Sequence, residues 1–356
     1  MEGIYGLLWY DTLNLSEHTS IVYVFEGMRS GIWGFLTLHG TCLKRAKHNG
    51  YRYNEGIMQK DLVIFSAGTS LGSFSDGAED GPTTLLDRGL EGVLATGLRS
   101  VKLQQWGADR KHVGADRIEN VRNARTLVPW LLGLRAAIIE QPSDAIPLVL
   151  GGDHSVATSS LLATRERHEG AVCVYIDAHP DVQAPGTSLT HNLHGMPVRI
   201  ATGGALQEHF HGPYWSAKDI FYLAIKDIDQ AEFDWIQSEG VRHATMDDIT
   251  SVGIGEVMRQ VRAWIAGRPV HVSYDIDAVD CLYAPGTGIQ NNGGLTYREA
   301  AYIARQLAYE QLVALDLVEF NPQRDTDSMT ADLSIELIAH LLGVRWDRYT
   351  RYLHHA

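Results

Sequence analysis

The sequence predicts an α/β protein with a central parallel sheet flanked by helices, and three observations predict it. Strand-length apolar runs recur at 146–151, 171–177, 219–225, 268–275 and 311–318. They alternate with helical stretches near 155–167, 230–239, 253–266, 297–309 and 330–342, the pattern of strand–helix–strand units. Polar residues capable of chemistry fall just past the carboxyl ends of three of these strands, where open α/β sheets keep their sites.

Taken in order, residues 1–57 carry Trp9, Tyr10, Tyr23, Phe25, Trp33 and Phe35 without a sustained helical or strand period. They read as an N-terminal extension, disordered or the product of an over-long start assignment, with the functional chain beginning near Met58. The acidic Glu2 at their head does not suit a secretory signal. Leu62-Val63-Ile64-Phe65 opens the first buried strand, and a Gly-rich loop follows from Gly68 to Gly77. That loop lacks the spacing and the Lys of a phosphate-cradling P-loop. Pro82 suits the first turn of a helix running to Arg88. Residues 117–140 read as a long amphipathic helix bent at Pro129. Residues 58–347 are expected to form a single α/β domain, with 348–356 as a tail.

Composition narrows the function. The chain has 356 residues, 45% of them hydrophobic and 21% charged, as in an ordinary globular protein with a large core. A formal charge of -13 argues against nucleic acid and permits a cationic small substrate. No apolar run is long enough to span a membrane. Cys42, Cys173 and Cys281 are spaced for neither a zinc knuckle nor a disulfide framework, which fits a reducing cytoplasm.

The central motif is Val174-Tyr175-Ile176-Asp177-Ala178-His179-Pro180-Asp181. Alternate side chains of an extended chain face the same way, so Asp177, His179 and Asp181 can converge. His154 follows the run 146–150, and Asp275 and Asp277 follow 270–274. Together these six residues offer four carboxylates, two imidazoles and no thiolate. Such a set suits manganese or a similar divalent ion better than structural zinc, and its size suggests a pair of ions. Asp153 and Ser155 are read as capping residues and Asp280 as a turn residue.

These residues sit in motifs that resemble the arginases, within the ureohydrolases. The motifs are Gly81-Pro82 leading to Arg88-Gly89-Leu90, then Gly151-Gly152-Asp153-His154-Ser155, Asp177-Ala178-His179-Pro180-Asp181 and Asn192-Leu193-His194-Gly195-Met196-Pro197. Ser273-Tyr274-Asp275-Ile276-Asp277, Ala284-Pro285-Gly286-Thr287-Gly288, Gly293-Gly294-Leu295-Thr296 and Glu319-Phe320-Asn321-Pro322 follow in family order. The resemblance implies a three-layer α/β fold, two Mn2+ ions held by His154, Asp177, His179, Asp181, Asp275 and Asp277, and hydrolysis of L-arginine to ornithine and urea through a metal-bridging hydroxide. It implies that His194 protonates the departing amine, that Asp181 relays a proton, and that Glu319 pairs with the guanidinium. A homo-oligomer, trimer or hexamer, is expected on the same ground.

The chemistry requires those residue types. A guanidinium is a poor electrophile, so water must be activated and fixed beside its carbon. The amine leaves only if protonated, which an imidazole of ordinary pKa about 6.5 can do. Substrate-side positions depart further from the family pattern. Asp229 and Glu232 stand where arginases hold the α-amino group, but Lys226 replaces the usual Arg. Gln183 and Thr190 replace an Asn and a Ser near the carboxylate, and His191 replaces a small residue beside Asn192. Cys281 replaces a Pro, and Ile289 replaces a Thr on the guanidinium side. The alternatives are another guanidino-compound ureohydrolase such as an agmatinase, a non-catalytic regulator binding arginine or ornithine, and a single-zinc deacetylase of related fold.

Overall fold

The computed structural model describes residues 22–25, 34–37, 60–107 and 116–344. The chain divides into two compact units, 1–51 and 52–356. In the smaller, strands β1 (Val22–Phe25) and β2 (Gly34–Thr37) pair antiparallel. The expectation of disorder for the remainder of the extension, and the tail at 348–356, lie outside the described residues.

In the larger unit the strands of the main sheet are β3 (Asp61–Ala67), β4 (Ser100–Gln105), β7 (Ile146–Gly151), β8 (Val172–Ile176), β9 (Ile220–Ile225), β10 (Arg242–Thr245), β11 (Pro269–Asp275) and β12 (Gln311–Val318). They form an eight-stranded sheet in the order β10-β9-β8-β11-β12-β7-β3-β4. Every neighbouring pair is parallel. A separate short hairpin, β5 (Arg117–Ile118) and β6 (Val121–Arg122), precedes β7.

Alternation along each strand builds the three layers. Leu62, Ile64, Val172, Val174, Ile176, Val270 and Val272 point to one face. There they meet α2 (Leu90–Leu94), α8 (Ile254–Ile265), α9 (Tyr297–Leu307) and α10 (Met329–Leu341). Cys173, Tyr175, Val63 and Phe65 point to the other face. They pack with α3 (Ala124–Ile139), α4 (Ala157–Arg167) and α5 (Pro197–Ala201). Strands covered on both faces read as continuous apolar runs, which is why these were legible. Helices α1 (Gly81–Asp87, with Pro82 in its first turn), α6 (Gln230–Glu239) and α7 (Met246–Val252) complete the unit.

One expected helix is shorter than the sequence suggested. Residues 117–122 form the β5–β6 hairpin, and α3 starts only at Ala124. Glu119, Asn120 and Asn123 have φ of 47°, 70° and 56°, left-handed values that no helix continues through. Pro129 lies inside α3 as expected.

The topology gathers the site. Strands β8, β11, β12 and β7 are consecutive neighbours at the sheet's centre. The segments leaving their carboxyl ends carry Asp177, Asp275, Glu319 and His154 respectively.

Candidate metal and catalytic site

The six expected ligands come together in two groups. His154 Nδ1 lies 3.0 Å from Asp177 Oδ2, 3.0 Å from Asp181 Oδ2 and 3.2 Å from Asp275 Oδ2. His179 Nδ1 lies 3.4 Å from Asp177 Oδ1 and 3.1 Å from Asp277 Oδ2. Asp177 therefore presents one oxygen to each group, and the trios His154–Asp177–Asp181 and Asp177–His179–Asp277 each have the spacing to hold an ion. This is the donor chemistry of borderline divalent cations. Asp177 Oδ2 is buried and accepts no well-aligned hydrogen bond among the described residues, as suits an oxygen left to a cation.

Electrostatics points the same way. Burial, then the charges of Asp181 and Asp277, push the Asp177 carboxyl up to about 6. Burial and the charges of Asp277 and Asp177 hold Asp275 well above the ordinary carboxylate range. For His154, burial opposes protonation, but Asp177, Asp181 and Asp275 outweigh it and raise the imidazole well above 6.5. Acids crowded in a buried place destabilise one another, and a bound divalent cation offsets that repulsion.

The local backbone explains the aim of these side chains. Asp275 Oδ1 accepts the Asp277 amide at 2.8 Å, and Asp177 Oδ1 accepts the His179 amide at 2.7 Å, so each Asp-x-Asp/His turn is tied by its own first carboxylate. Asp181 and Glu319 hold φ of 52° and 62°, strained values for non-glycine residues of the kind that cluster at functional sites. Gly152 allows the close approach of two loops, since a Cβ there would lie 1.9 Å from the Thr69 carbonyl. Asp153 caps as expected: Oδ1 accepts the Ser155 amide and Oδ2 accepts the Gly72 amide, at 3.0 and 2.8 Å. The Gly-rich loop thereby becomes part of the site wall, because the Gly72 carbonyl in turn accepts the His194 amide at 3.0 Å. Asp280 is a turn residue, accepting the Leu282 and Gly293 amides.

Three partners went unread in the sequence. Ser273 Oγ sits 3.0 Å from His154 Nε2, which turns Nδ1 toward the carboxylates. Tyr175 stacks on His154 with ring centres 4.8 Å apart, and its hydroxyl donates to Asp181 Oδ2 at 3.0 Å. Asp227 Oδ2 stands 3.8 Å from His179 Nε2. Tyr175 and Ser273 each lie two residues before a predicted ligand, so the strand period that found Asp177 and Asp275 could have found them.

His194 lies beside this cluster, paired with Glu319: Nδ1 is 3.1 Å from Oε1. The same oxygen accepts the His154 amide at 2.9 Å. Burial lowers the His194 imidazole, but Glu319, Asp153 and Asp181 more than reverse this and push it up to about 9.

The substrate-side residues also assemble. Glu232 is buried and accepts the Val182 and Asp229 amides, both at 3.2 Å, and burial lifts its carboxyl to about 7. Gln183 is more committed than its place in the sequence suggested. Its Nε2 donates to Asp229 Oδ2 at 2.7 Å, and its Oε1 accepts from Thr187 at 2.9 Å. Thr190 Oγ1 accepts the Asn192 amide at 3.3 Å. The Asn192 side chain is buried with neither amide atom bonded among the described residues.

Known proteins resemble this chain in sequence and fold. The model of the Arginase family matches residues 60–343. Arginase-1 of Bos taurus is 33% identical over 284 residues, covering 74% of this chain and 85% of that protein. The arginase of Staphylococcus aureus (strain COL) is 32% identical over 300 residues, covering 80% and 97%. The crystal structure of Entamoeba histolytica arginase in complex with L-ornithine superposes with a TM-score of 0.74 at 26% identity, covering 80% of this chain and 98% of that one. With its eight-stranded parallel sheet and clustered candidate ligands, the chain belongs to the arginase family and is a metal-dependent amidinohydrolase.

Proposed function

We propose that this protein hydrolyses L-arginine to ornithine and urea with two manganese ions, held by His154, Asp177, His179, Asp181, Asp275 and Asp277. The observation that carries this reading is the pair of ligand trios sharing Asp177, set beside His194 and Glu319. When bound, the ions supply an activated water next to the guanidinium carbon.

The chain's own residues do the rest. Asp181, its Oδ2 oriented by the Tyr175 hydroxyl, is the carboxylate suited to carry a proton from the nucleophile toward the departing nitrogen. His194, its Nδ1 3.1 Å from Glu319 Oε1, is the imidazole suited to deliver a proton to the amine as it leaves. Glu319 is the acid suited to the forked donors of a guanidinium as well as to His194. Asp229 and Glu232 supply acids for the substrate's α-amino group, and Gln183, Thr190 and Asn192 line the polar side of the same loop. The likeness to the bovine, staphylococcal and amoebic arginases supports the choice of arginine. A cytoplasmic homo-oligomer belongs to the same proposal.

The test is urea release by the manganese-loaded protein, with L-arginine and agmatine assayed side by side. Turnover of arginine is expected. Turnover of agmatine alone would move the assignment to an agmatinase, and silence on both would refute it.

A further inference from the structure

The β5–β6 hairpin sets two arginines face to face beside the candidate site. Across it Arg117 pairs with Arg122 and Ile118 with Val121. The turn is two residues long, Glu119 and Asn120, and both have positive φ, as tight hairpins favour. Val121 is buried, and Ile118 packs against the same apolar cluster. Alternation therefore turns both arginines to the other, exposed face. Like charges directly opposite in an antiparallel pair are destabilising. Arg117 is partly engaged, its Nη1 donating to the Asn120 carbonyl and Oδ1 at 2.8 and 3.0 Å. The Arg122 guanidinium has no ion pair or hydrogen bond among the described residues.

Both arginines line a cavity of about 250 Å³ whose wall includes Ser73 and Phe74. This wall is shared with the site. The Phe74 ring stands edge-on to His194, ring centres 6.3 Å apart. The hairpin is also bonded to the substrate-side loop, since the Arg122 amide donates to the His191 carbonyl at 2.9 Å and Asn120 Nδ2 lies 3.1 Å from the His191 ring. Asp116, an acid on the cavity wall, already accepts the Arg125 and Thr126 amides, and Asp76 is engaged elsewhere. By contrast, Gln183 has one N–H taken by Asp229 and its carbonyl by Thr187.

Resting on the arginine reading above, we propose that the substrate's carboxylate is read by Arg122, with Arg117 beside it, in preference to Gln183 and Thr190. A guanidinium offers a carboxylate two parallel N–H donors and a full charge, where an amide or hydroxyl offers one neutral donor. An anion held between the two arginines also relieves their mutual repulsion. Arg122 is thus a specificity-determining residue outside the motifs shared with the family.

The experiment compares L-arginine with L-argininamide, whose carboxylate is replaced by a neutral amide, on the manganese-loaded full chain. For Arg122→Ala, KM for L-arginine should rise about ten- to a hundredfold, the weight of hydrogen bonds to a charged group. The preference for arginine over argininamide should collapse by a similar factor. Arg122→Lys should recover part of it, because it keeps the charge and loses the fork. The Arg122→Ala melting temperature should equal or exceed that of the parent. An unchanged arginine-to-argininamide preference in Arg122→Ala overturns the proposal, as does an equal loss on both substrates with a lowered melting temperature. A parent protein that releases urea from neither compound overturns the arginine reading and this one with it.

Discussion

Replacing Ser273 by Ala should weaken metal binding without unfolding the protein. Ser273 and His154 are both buried, and the hydroxyl lies 3.0 Å from Nε2. With Nδ1 facing Asp177, Asp181 and Asp275 at 3.0 to 3.2 Å, Nε2 is the nitrogen that must carry the proton whenever Nδ1 acts as a ligand. Ser273→Ala leaves that N–H buried without its acceptor, a penalty of about 1–3 kcal/mol. Taken wholly from the metal-bound state, that is about ten- to a hundredfold in affinity, the range seen when such supporting partners of metal-bound histidines are removed. Competition between the protein and a chelator of known manganese affinity measures it, with thermal melting as the control. A Ser273→Ala protein that melts normally and binds manganese within about twofold of the parent would refute the claim that this hydroxyl aims His154.

Other consequences follow from the same contacts. Tyr175→Phe keeps the ring stacked on His154 but removes the donor to Asp181, and should lower kcat/KM for arginine about tenfold with the fold intact, as steady-state kinetics and circular dichroism would register. In the metal-free chain, His194 is raised to about 9, so the stability it contributes is fully present below about pH 6.5 and is lost as pH rises through about 9. Glu319→Gln should flatten that part of the melting-temperature profile between pH 6 and 10. His271 and Asp316 are fully buried with Nε2 and Oδ2 2.9 Å apart, and Thr164 and Ser160 of α4 bond to them at 2.8 and 2.6 Å. Removing the imidazole leaves the buried Asp316 Oδ2 with Ser160 alone, so His271→Ala should cost about 1–3 kcal/mol in urea unfolding.

The sequence made the centre of the sheet legible and its margins obscure, for physical reasons. Runs such as Val172–Ile176 and 312–318 are covered on both faces and so are apolar, Asp316 in the second excepted. The edge strands Ser100–Gln105 and Arg242–Thr245 are partly exposed, carry Lys102, Gln104 and Arg242, and offered no such run. The stretch 117–122 resembled a helix because Ile118 and Val121 are three apart, a helical spacing, whereas the left-handed Glu119 and Asn120 turn the chain back so that the two pair across a hairpin. The six candidate ligands were readable because each leaves a recognisable strand end. The engagement of Gln183 with Asp229 and Thr187, the pairing of His194 with Glu319, and the nearness of Arg122 to the His191 loop join residues up to 125 positions apart. Spacing along the chain carries no trace of such contacts.

The most direct measurement is urea release from L-arginine as manganese is titrated into the metal-free protein. The shared carboxylate of Asp177 between two ligand trios predicts activity that rises to a plateau at two ions per chain. A plateau at one ion, or urea release that does not depend on added metal, would contradict a two-ion hydrolytic centre built on Asp177.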